Sequence, residues 1–343
     1  VNEILISQKD ECLEKLEFLF SEVHKKLTAV PRDNFNFFYD QIVSFGELFS
    51  TTIISYFLKE SGIPNKWVDA REIIKTNNHF REAGILWDVT GARIQRLIPG
   101  IFENNDIIIT QGFIGSTTDE LQTTLGREGS DFTAAVFANL LKAESVTIWK
   151  DVEAVMSADP KMFKDAVPIT ELSYMEVIEM AYYGAQVIHP KTIKPLQNEM
   201  IPLYVRSFLN ASAPGTVIHM VESQNLPPVY VVKEKQVLLT FQTKDFSFIE
   251  GKATRAINKT LAEARIKGNL SQNTAISLLI CMDDIPEKTN RVIEESSSFD
   301  VACHRNLTLM TIRHYNDEII DHLLKEKKII LEQRTEKTLQ VLY

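Results

Sequence analysis

The chain has 343 residues, 44% of them hydrophobic and 24% charged, which is typical of a globular protein of two or three domains. It contains no apolar run of about 18 residues and no visible signal peptide, which argues against a membrane protein. The net charge of -9 argues against nucleic acid as a partner. Cys12, Cys281 and Cys303 are too few and too scattered for a disulfide framework or a metal centre, so we expect a reducing cytoplasm.

Helical and strand patterns alternate over the first two thirds of the chain. Apolar residues at three- and four-residue steps predict helices at 10–28, 34–60, 132–141 and 174–183. Short apolar runs predict strands at 67–69, 106–110, 145–149 and 201–205, of which 106–110 reads as a buried parallel strand. This alternation predicts an α/β fold with a mainly parallel sheet and helices on both faces.

The pattern changes near residues 213–216, after which two similar modules follow. The first has strands at 237–242 and 274–283 around a helix that ends near Arg265. The second has strands at 307–314 and 338–343 around a helix at 317–324. This order predicts two small α+β modules packed together. We therefore expect one domain over 1–222 and a second over 229–343.

The sequence around Arg127 has the composition of an anion site. Gly126 and Gly129 flank the arginine, and Ser130 and Asp131 stand where a helix begins. The start of a helix offers unpaired N–H groups and a partial positive charge, and a guanidinium can grip a carboxylate or phosphate with two bonds. The alternative is an ordinary N-cap made by Ser130 or Asp131, and the sequence leaves both interpretations open.

Two further glycine positions carry the same ambiguity. Gly46 lies inside a predicted helix, where glycine costs roughly 1 kcal/mol against alanine. Either a ligand approaches the backbone there, with Glu47 beside it, or another helix does. The segment 111–116 follows the predicted strand 106–110 and contains two glycines, so it is either an anion-binding loop at a strand end or a simple turn.

Two lysines and a histidine complete the candidates. Lys150 and Lys161 are suited to facing phosphates and Asp151 to accepting from a ribose or base, although lone lysines are usually solvated surface charges. His189 precedes a proline and follows an apolar pair, which favours a packed or capping histidine over a base. The sequence contains no metal-ligand cluster and no Gly-x-x-x-x-Gly-Lys-Ser/Thr phosphate loop.

Taken in order, these motifs resemble the aspartokinases of the amino acid kinase family. The matching pieces are Ser-Phe-Gly-Glu at 44–47, Trp-Val-Asp-Ala-Arg at 67–71, Thr-Gln-Gly-Phe-Ile-Gly-Ser at 110–116, Thr-Leu-Gly-Arg-Glu-Gly-Ser-Asp at 124–131, Trp-Lys-Asp-Val at 149–152, Ser-Ala-Asp-Pro-Lys at 157–161, Gly-Ala-Gln-Val-Ile-His-Pro at 184–190 and Ala-Pro-Gly-Thr at 213–216. The tail resembles the paired ACT (ferredoxin-like) modules of the monofunctional enzymes, including Gln-Asn-Thr-Ala-Ile-Ser at 272–277.

The resemblance implies transfer of the γ-phosphoryl group of MgATP to the side-chain carboxylate of L-aspartate. The product would be 4-phospho-L-aspartate, on the route to lysine, threonine and methionine. Arg127 would hold an aspartate carboxylate, Glu47 would receive the ammonium group, and Asp131 would order lysines or metal near the transfer site. The other implied substrate residues are Phe113, Gly115, Gly129 and Ser130, and the implied nucleotide residues are Lys150, Asp151, Met156, Lys161 and Gln186.

The resemblance also implies feedback control through the tail modules, by lysine in first place or by threonine. The implied effector residues are Ser247, Phe248, Ile249, Gly268, Asn269, Asn273 and Thr274. Asn269 and Thr274 would accept from the effector's α-ammonium. Because ACT modules usually pair across subunits, we expect a homodimer or a higher oligomer.

The sequence departs from the family pattern in three places, and these departures leave an alternative function open. The chain has no Lys-Phe/Tyr-Gly-Gly-Thr-Ser segment, the family's N-terminal phosphate loop, so we expect the 343 residues alone to be catalytically incomplete. Gln186 stands where the family often has lysine, and 246–249 departs from the usual inhibitor loop. A non-catalytic amino-acid-sensing subunit is therefore the alternative function. A kinase for an acylated amino acid is disfavoured, because such a substrate has no ammonium for Glu47.

Overall fold

The computed structural model describes residue 1 and residues 5–185, 188–222 and 225–343, which form two compact units. The first unit comprises Val1–Glu153, Glu171–Ile178 and Ile188–Val221, and the second comprises Ala154–Thr170, Glu179–Val187 and Glu222–Tyr343. The second unit thus takes in two segments that precede residue 222. The functional domain limits 1–222 and 229–343 stay a prediction.

The elements follow in chain order. The helices are α1 (Lys9–Ala29), α2 (Phe35–Glu60), α3 (Ala70–Ile73), α4 (Trp87–Phe102), α5 (Gly129–Leu141), α6 (Tyr174–Tyr183), α7 (Pro190–Asn198), α8 (Gly251–Glu263), α9 (Pro286–Glu295) and α10 (Asp317–Leu324). The strands are β1 (Lys66–Trp67), β2 (Ile108–Ile109), β3 (Ile114–Ser116), β4 (Gln122–Thr124), β5 (Val146–Lys150), β6 (Val155–Met156), β7 (Pro168–Ile169), β8 (Glu171–Ser173), β9 (Leu203–Ser207), β10 (Thr216–His219), β11 (Val229–Thr243), β12 (Gly268–Asn273), β13 (Ser277–Asp283), β14 (Phe299–Arg313), β15 (Leu331–Arg334) and β16 (Thr338–Leu342). None of the helices over the described ranges is both long and apolar enough to cross a membrane.

The first unit has the predicted α/β character. Its largest sheet has the order β5-β9-β10-β8, in which the β5–β9 and β10–β8 pairs are parallel and the β9–β10 pair is antiparallel. Strands β1 and β2 form a separate parallel pair, and β3 and β4 form an antiparallel hairpin. The α/β class is therefore confirmed, with a sheet that is mixed in direction.

The apolar periodicity correctly predicts α1, α2, α5 and α6, whereas α3, α4 and α7 were not predicted. Asn34 caps α2 by accepting from the N–H of Phe37 at 3.1 Å. The strand predicted at 106–110 is shorter than expected. Only Ile108 and Ile109 pair, and they are half-buried rather than buried, because β1 is their one partner strand among the described residues. The main core, around Leu48, Ile73 and Ile94, lies among α2, α3 and α4.

The second unit is built on one six-stranded antiparallel sheet, of order β12-β13-β11-β14-β16-β15. The long strands β11 and β14 pair twice, through 229–233 with 309–313 and, after register shifts between 233 and 238, through 236–243 with 299–307. Two successive modules were expected, but the structure has them interlocked. The first part of β11 belongs to the module that contains β15 and β16. In the sequence, the other module is inserted between this part of β11 and the rest of that module. This is consistent with paired ACT-like modules.

In the first unit, the backbone at position 215 lies so close to β9 that the position requires glycine. Gly215 has φ +72°, and a Cβ there would overlap the carbonyl oxygen of Val205 in β9. Gly62 has a similar φ of +76° but has nothing within 4 Å of its Cβ position.

We expect Gly215→Ala to destabilise the protein by clearly more than Gly62→Ala. Both substitutions carry the backbone strain of a left-handed residue, about 1–3 kcal/mol, and only Gly215→Ala adds the overlap. The measurement is urea denaturation of the two variants beside the unmodified protein. Equal losses of unfolding free energy would contradict the steric explanation.

Candidate active site at the start of helix α5

The turn between β4 and α5 contains the residues of the predicted anion site. Gly126 has φ +74° and Glu128 has φ +53°, so two left-handed residues bracket Arg127. Glu128 occupies the N-cap position of α5 without a side-chain cap, and Ser130 and Asp131 fall inside the first turn. The alternative that Ser130 or Asp131 is an ordinary capping residue is therefore wrong.

The segment 111–116 lies directly against this turn. A Cβ on Gly112 would sit 2.8 Å from the Cα of Ser130, and a Cβ on Gly129 would sit 2.7 Å from the Phe113 ring. The N–H of Phe113 donates to the hydroxyl of Thr133 at 3.1 Å. The glycines are thus required by packing, and that packing brings together Phe113, Gly129 and Ser130. Their assignment to the substrate, which the family resemblance implies, stays a prediction.

Gly115 has different neighbours. A Cβ there would sit 2.8 Å from the carbonyl oxygen of Ile74, which lies just after α3. The N–H of Ser116 donates to the same carbonyl at 3.0 Å. Gly115 therefore fits the hairpin to the α3 segment, and its assignment to the substrate stays a prediction.

Two residues predicted for different tasks form an ion pair at the site. Lys150 ends β5, and its Nζ lies 3.4 Å from Oδ2 of Asp131. The two side chains are only 27% and 19% exposed, respectively. Both a carboxylate and an ammonium group thus stand beside the N–H groups that open α5, at the carboxyl end of a strand.

The guanidinium of Arg127 reaches into open space. Its side chain is 74% exposed, and its ion pair with Glu128 is long, at 3.9 Å. The other carboxylate oxygen of Glu128 accepts from the N–H of His189 at 2.8 Å. Glu128 therefore faces the start of α7, and most of the Arg127 fork is available to a ligand.

Residues at the start of α7 form hydrogen bonds to the turn between β4 and α5. Nδ1 of His189 accepts from the N–H of Lys191 at 3.2 Å, which confirms the prediction of a capping histidine. Nζ of Lys191 donates to the carbonyl of Leu125 at 3.0 Å. Burial lowers the pKa of His189 and of Lys191. Lys191 is a site residue that the sequence analysis missed.

Glu47 stands half-buried on α2, and burial raises the pKa of its carboxyl group. Its neighbour Gly46 is exposed and has nothing within 4 Å of its Cβ position. The proposed helix–helix contact at Gly46 is therefore wrong, and the space beside the backbone is open. A ligand ammonium would supply the opposite charge that a partly buried carboxylate favours.

Polar residues along α2 form hydrogen bonds to β4 and to segment 111–116. Gln41 Nε2 donates to the carbonyl of Gln122 at 2.7 Å, and Ser44 Oγ donates to Oε1 of Gln122. Further along, the hydroxyl of Thr51 accepts from Nε2 of Gln111 at 2.8 Å. The spacing of these residues by three and seven in an otherwise apolar helix is the signal that could have identified them.

The other predicted nucleotide residues are placed less specifically. Asp151 is exposed immediately after β5. Met156 and Lys161 belong to the second unit, where the N–H of Lys161 donates to Asp159 Oδ1 at 2.9 Å in a local turn. Gln186 lies outside the described residues. The grouping of these residues into one nucleotide site stays a prediction.

The predicted effector residues are partly engaged by the chain itself. Oδ1 of Asn269 accepts from Lys233 Nζ at 2.8 Å, and its Nδ2 donates to Gln236 and Asp283 at 2.8 and 3.0 Å. The hydroxyl of Thr274 accepts from the N–H of Ser277 at 3.0 Å. An effector ammonium would have to replace or share these bonds.

The remaining effector candidates differ in exposure. Ser247 and Phe248 are exposed, whereas Ile249 is a core residue whose N–H donates to the carbonyl of Ala275 at 2.9 Å. Gly268 and Asn273 begin and end β12. The side chain of Ile249 therefore serves packing, and a ligand contact by the loop falls to its two exposed residues.

Comparison with known proteins identifies the family of the chain. The model of the amino acid kinase family matches residues 6–207. Lysine-sensitive aspartokinase 3 of Escherichia coli is 35% identical over 247 residues, which are 71% of this chain and 54% of that protein. The chloroplastic bifunctional aspartokinase/homoserine dehydrogenase 2 of Zea mays is 42% identical over 182 residues, 53% of this chain and 20% of that protein. The chain thus spans between a fifth and about half of the length of these relatives.

Two solved structures of E. coli aspartokinase III are similar over nearly the whole chain. The complex with lysine and aspartate, in the T-state, has a TM-score of 0.79 at 26% identity and covers 98% of this chain and 79% of that one. The complex with aspartate and ADP, in the R-state, has a TM-score of 0.77 at 27% identity, covering 96% and 77%. The chain therefore belongs to the amino acid kinase family, and the aspartokinases are its relatives within that family.

Proposed function

We propose that this protein is an aspartate kinase, which transfers the γ-phosphoryl group of MgATP to the side-chain carboxylate of L-aspartate. The observation that carries the proposal is the arrangement at the start of α5, where Arg127 is exposed and Asp131 forms an ion pair with Lys150 at the end of β5. That a similar solved protein holds aspartate and ADP supports it. The product would be 4-phospho-L-aspartate, a precursor of lysine, threonine and methionine.

The substrate is held by two opposite charges. Arg127 binds a carboxylate of aspartate through its planar fork, and Glu47 receives the ammonium group. Ser130 and Gly129 offer backbone at the first turn of α5, and Phe113 closes the site beside them. The reacting carboxylate is ionised at neutral pH, since an ordinary aspartate pKa is near 4, so the reaction needs no general base.

Asp131 orders the phosphate side of the site. Its ion pair fixes the ammonium of Lys150 at the end of β5, where that charge offsets the negative charge of the transferring group. Mg²⁺ usually takes its ligands from phosphates and water with one or two carboxylates, a role that Asp131 fits. The described residues contain no group of three acidic, cysteine or histidine side chains that could hold a metal ion by themselves.

The second unit would regulate the reaction. An amino acid, lysine in first place or threonine, would bind the exposed loop at Ser247 and Phe248 and reach towards β12. The lysine in the similar T-state structure supports this proposal. The modules would also pair two copies of the chain. The three free cysteines are in keeping with the expected cytoplasmic location.

Arg127→Ala in the full-length protein should lower kcat/KM for aspartate by about 10²–10³, the usual cost of removing a charge that binds the transition state. The KM for ATP should change little. Arg96→Ala, at an exposed arginine of α4, is the control and should leave both constants unchanged. A coupled assay of ADP release gives the constants, and unchanged aspartate kinetics in Arg127→Ala would refute the assigned role.

Gly46→Ala should stabilise the protein by about 0.5–1 kcal/mol, because alanine is the better helix former and the position is open. The same methyl group should raise the KM for aspartate if the ligand approaches the helix there. Gly100→Ala in α4 also has an open Cβ position and should stabilise without affecting KM. Urea denaturation and kinetics test the pair. A stabilised Gly46→Ala protein with normal KM would show that no ligand uses this space.

Lysine should bind the protein with measurable heat, and saturating aspartate should weaken that binding by the factor by which lysine weakens aspartate binding. Calorimetric titrations with lysine and with threonine, each with and without aspartate, measure the two factors. If neither amino acid gives heat or a thermal shift, the modules serve only to pair subunits and the regulatory proposal fails.

A further inference from the structure

Asp40 is a buried carboxylate whose bonds are unlike those of an ordinary helix residue. It lies in α2 and is 0% exposed. Oδ2 accepts from the backbone N–H groups of Arg81 and Thr124 at 2.8 and 2.9 Å, and Oδ1 accepts from the Thr124 hydroxyl at 2.8 Å. A carboxylate with three bonds to groups far along the chain is an expensive feature to bury, so its position carries structural information.

One of its backbone partners leads into the turn that carries Arg127, and the other belongs to a segment packed against that turn. Thr124 ends β4, three residues before Arg127. The carbonyl of Arg81 lies against Gly126, where a Cβ would come within 2.9 Å. The N–H of Ala83 donates to the carbonyl of Thr124 at 2.9 Å and joins the two segments to each other. Asp40 therefore holds the strand before the turn and the segment packed against it.

The same helix carries Glu47. Seven residues separate it from Asp40, which places the two about 10 Å apart along the axis and on nearly the same face. Between them, Ser44 bonds to Gln122 at the other end of β4. Helix α2 is thus a rigid connection between Glu47 and the turn that displays Arg127.

We propose that Asp40 is a positioning residue, which sets the separation of Glu47 and Arg127 and so makes the site selective for substrates with both an ammonium and a carboxylate group. The inference rests on the proposed function, in which these two residues grip aspartate. A carboxylate is needed because all three partners are donors. An asparagine would offer one acceptor oxygen and turn an NH₂ group towards a donor.

Asp40→Asn should lower kcat/KM for aspartate by about 10²-fold, as expected for a displacement of a binding group by about 1 Å. The loss should appear mainly in the KM for aspartate and leave the KM for ATP within twofold. Phosphorylation of aspartate relative to succinate, which lacks the ammonium, should fall by at least about tenfold. These constants are measured by ADP release from the full-length protein.

Ser55→Ala is the matched control. Ser55 is another buried polar residue of α2, and its hydroxyl donates to Asn65 Oδ1 at 2.6 Å, away from the Arg127 turn. Its loss should reduce stability and leave the KM for aspartate and the selectivity unchanged. If Ser55→Ala shifts both as Asp40→Asn does, the effect is one of general stability and the proposal is overturned.

Hydrogen exchange separates this proposal from the proposed function. The amides of Arg81 and Thr124 should exchange faster in Asp40→Asn and at the normal rate in Ser55→Ala, whether or not the protein turns over aspartate. An unmodified protein without aspartate-dependent turnover would refute the proposed function. Normal KM, normal selectivity and protected amides in Asp40→Asn would refute the positioning role. If Asp40→Asn does not fold, Thr124→Val tests the positioning role instead. It removes only the hydrogen bond from the Thr124 hydroxyl to Asp40, so it should raise the KM for aspartate by a smaller factor.

Discussion

The close approach of segment 111–116 to the first turn of α5 is the contact on which the candidate site depends. Gly112 and Gly129 allow Ser130 and Phe113 to come within van der Waals distance of the opposing backbone. A single methyl group at either glycine would push the two segments apart, because well-packed interiors do not absorb even one additional carbon without displacement. The first turn of α5, which follows Arg127 directly, is placed by this contact.

The cations gathered at the turn are opposite in sign to the net charge of the whole chain. The net charge is -9, yet Arg127, Lys150 and Lys191 are gathered around the start of α5. Asp131 and Glu128 balance part of this charge, Asp131 by pairing with Lys150 and Glu128 while it accepts from the backbone N–H of His189. A helix start adds its own partial positive charge. This local charge would favour an anionic ligand at the turn, as the proposed function requires, although the net charge of the protein is negative.

The second unit shows how a predicted binding group can be occupied by the chain's own side chains. Lys233 donates to Asn269, and its aliphatic stem packs against Gly184, where a Cβ would come within 2.6 Å of Cε. Gly184, with φ +111°, begins a segment in which Gln186 was predicted to bind the nucleotide. Burial lowers the pKa of Lys233. One half-buried lysine thus joins the predicted effector strand to Gly184.

The sequence by itself determined the features that depend on neighbouring residues. Helix α2 begins after Asn34 because that side chain can reach a backbone N–H three residues ahead, and His189 caps α7 because proline follows it. The ordered motifs were also sufficient to indicate the family. These features involve a few consecutive residues or a fixed spacing, which a sequence displays directly.

Only the tertiary structure decided which distant groups meet. Asp40 bonds to residues 41 and 84 positions away, and nothing in its local sequence distinguishes it from a solvated aspartate. The open space at Gly46, the interlocking of the two modules through residues 229–233 and the internal bonds of Asn269 were equally invisible. Each results from packing between segments far apart in the chain, and the free energy of such contacts depends on the whole fold rather than on local residue preference.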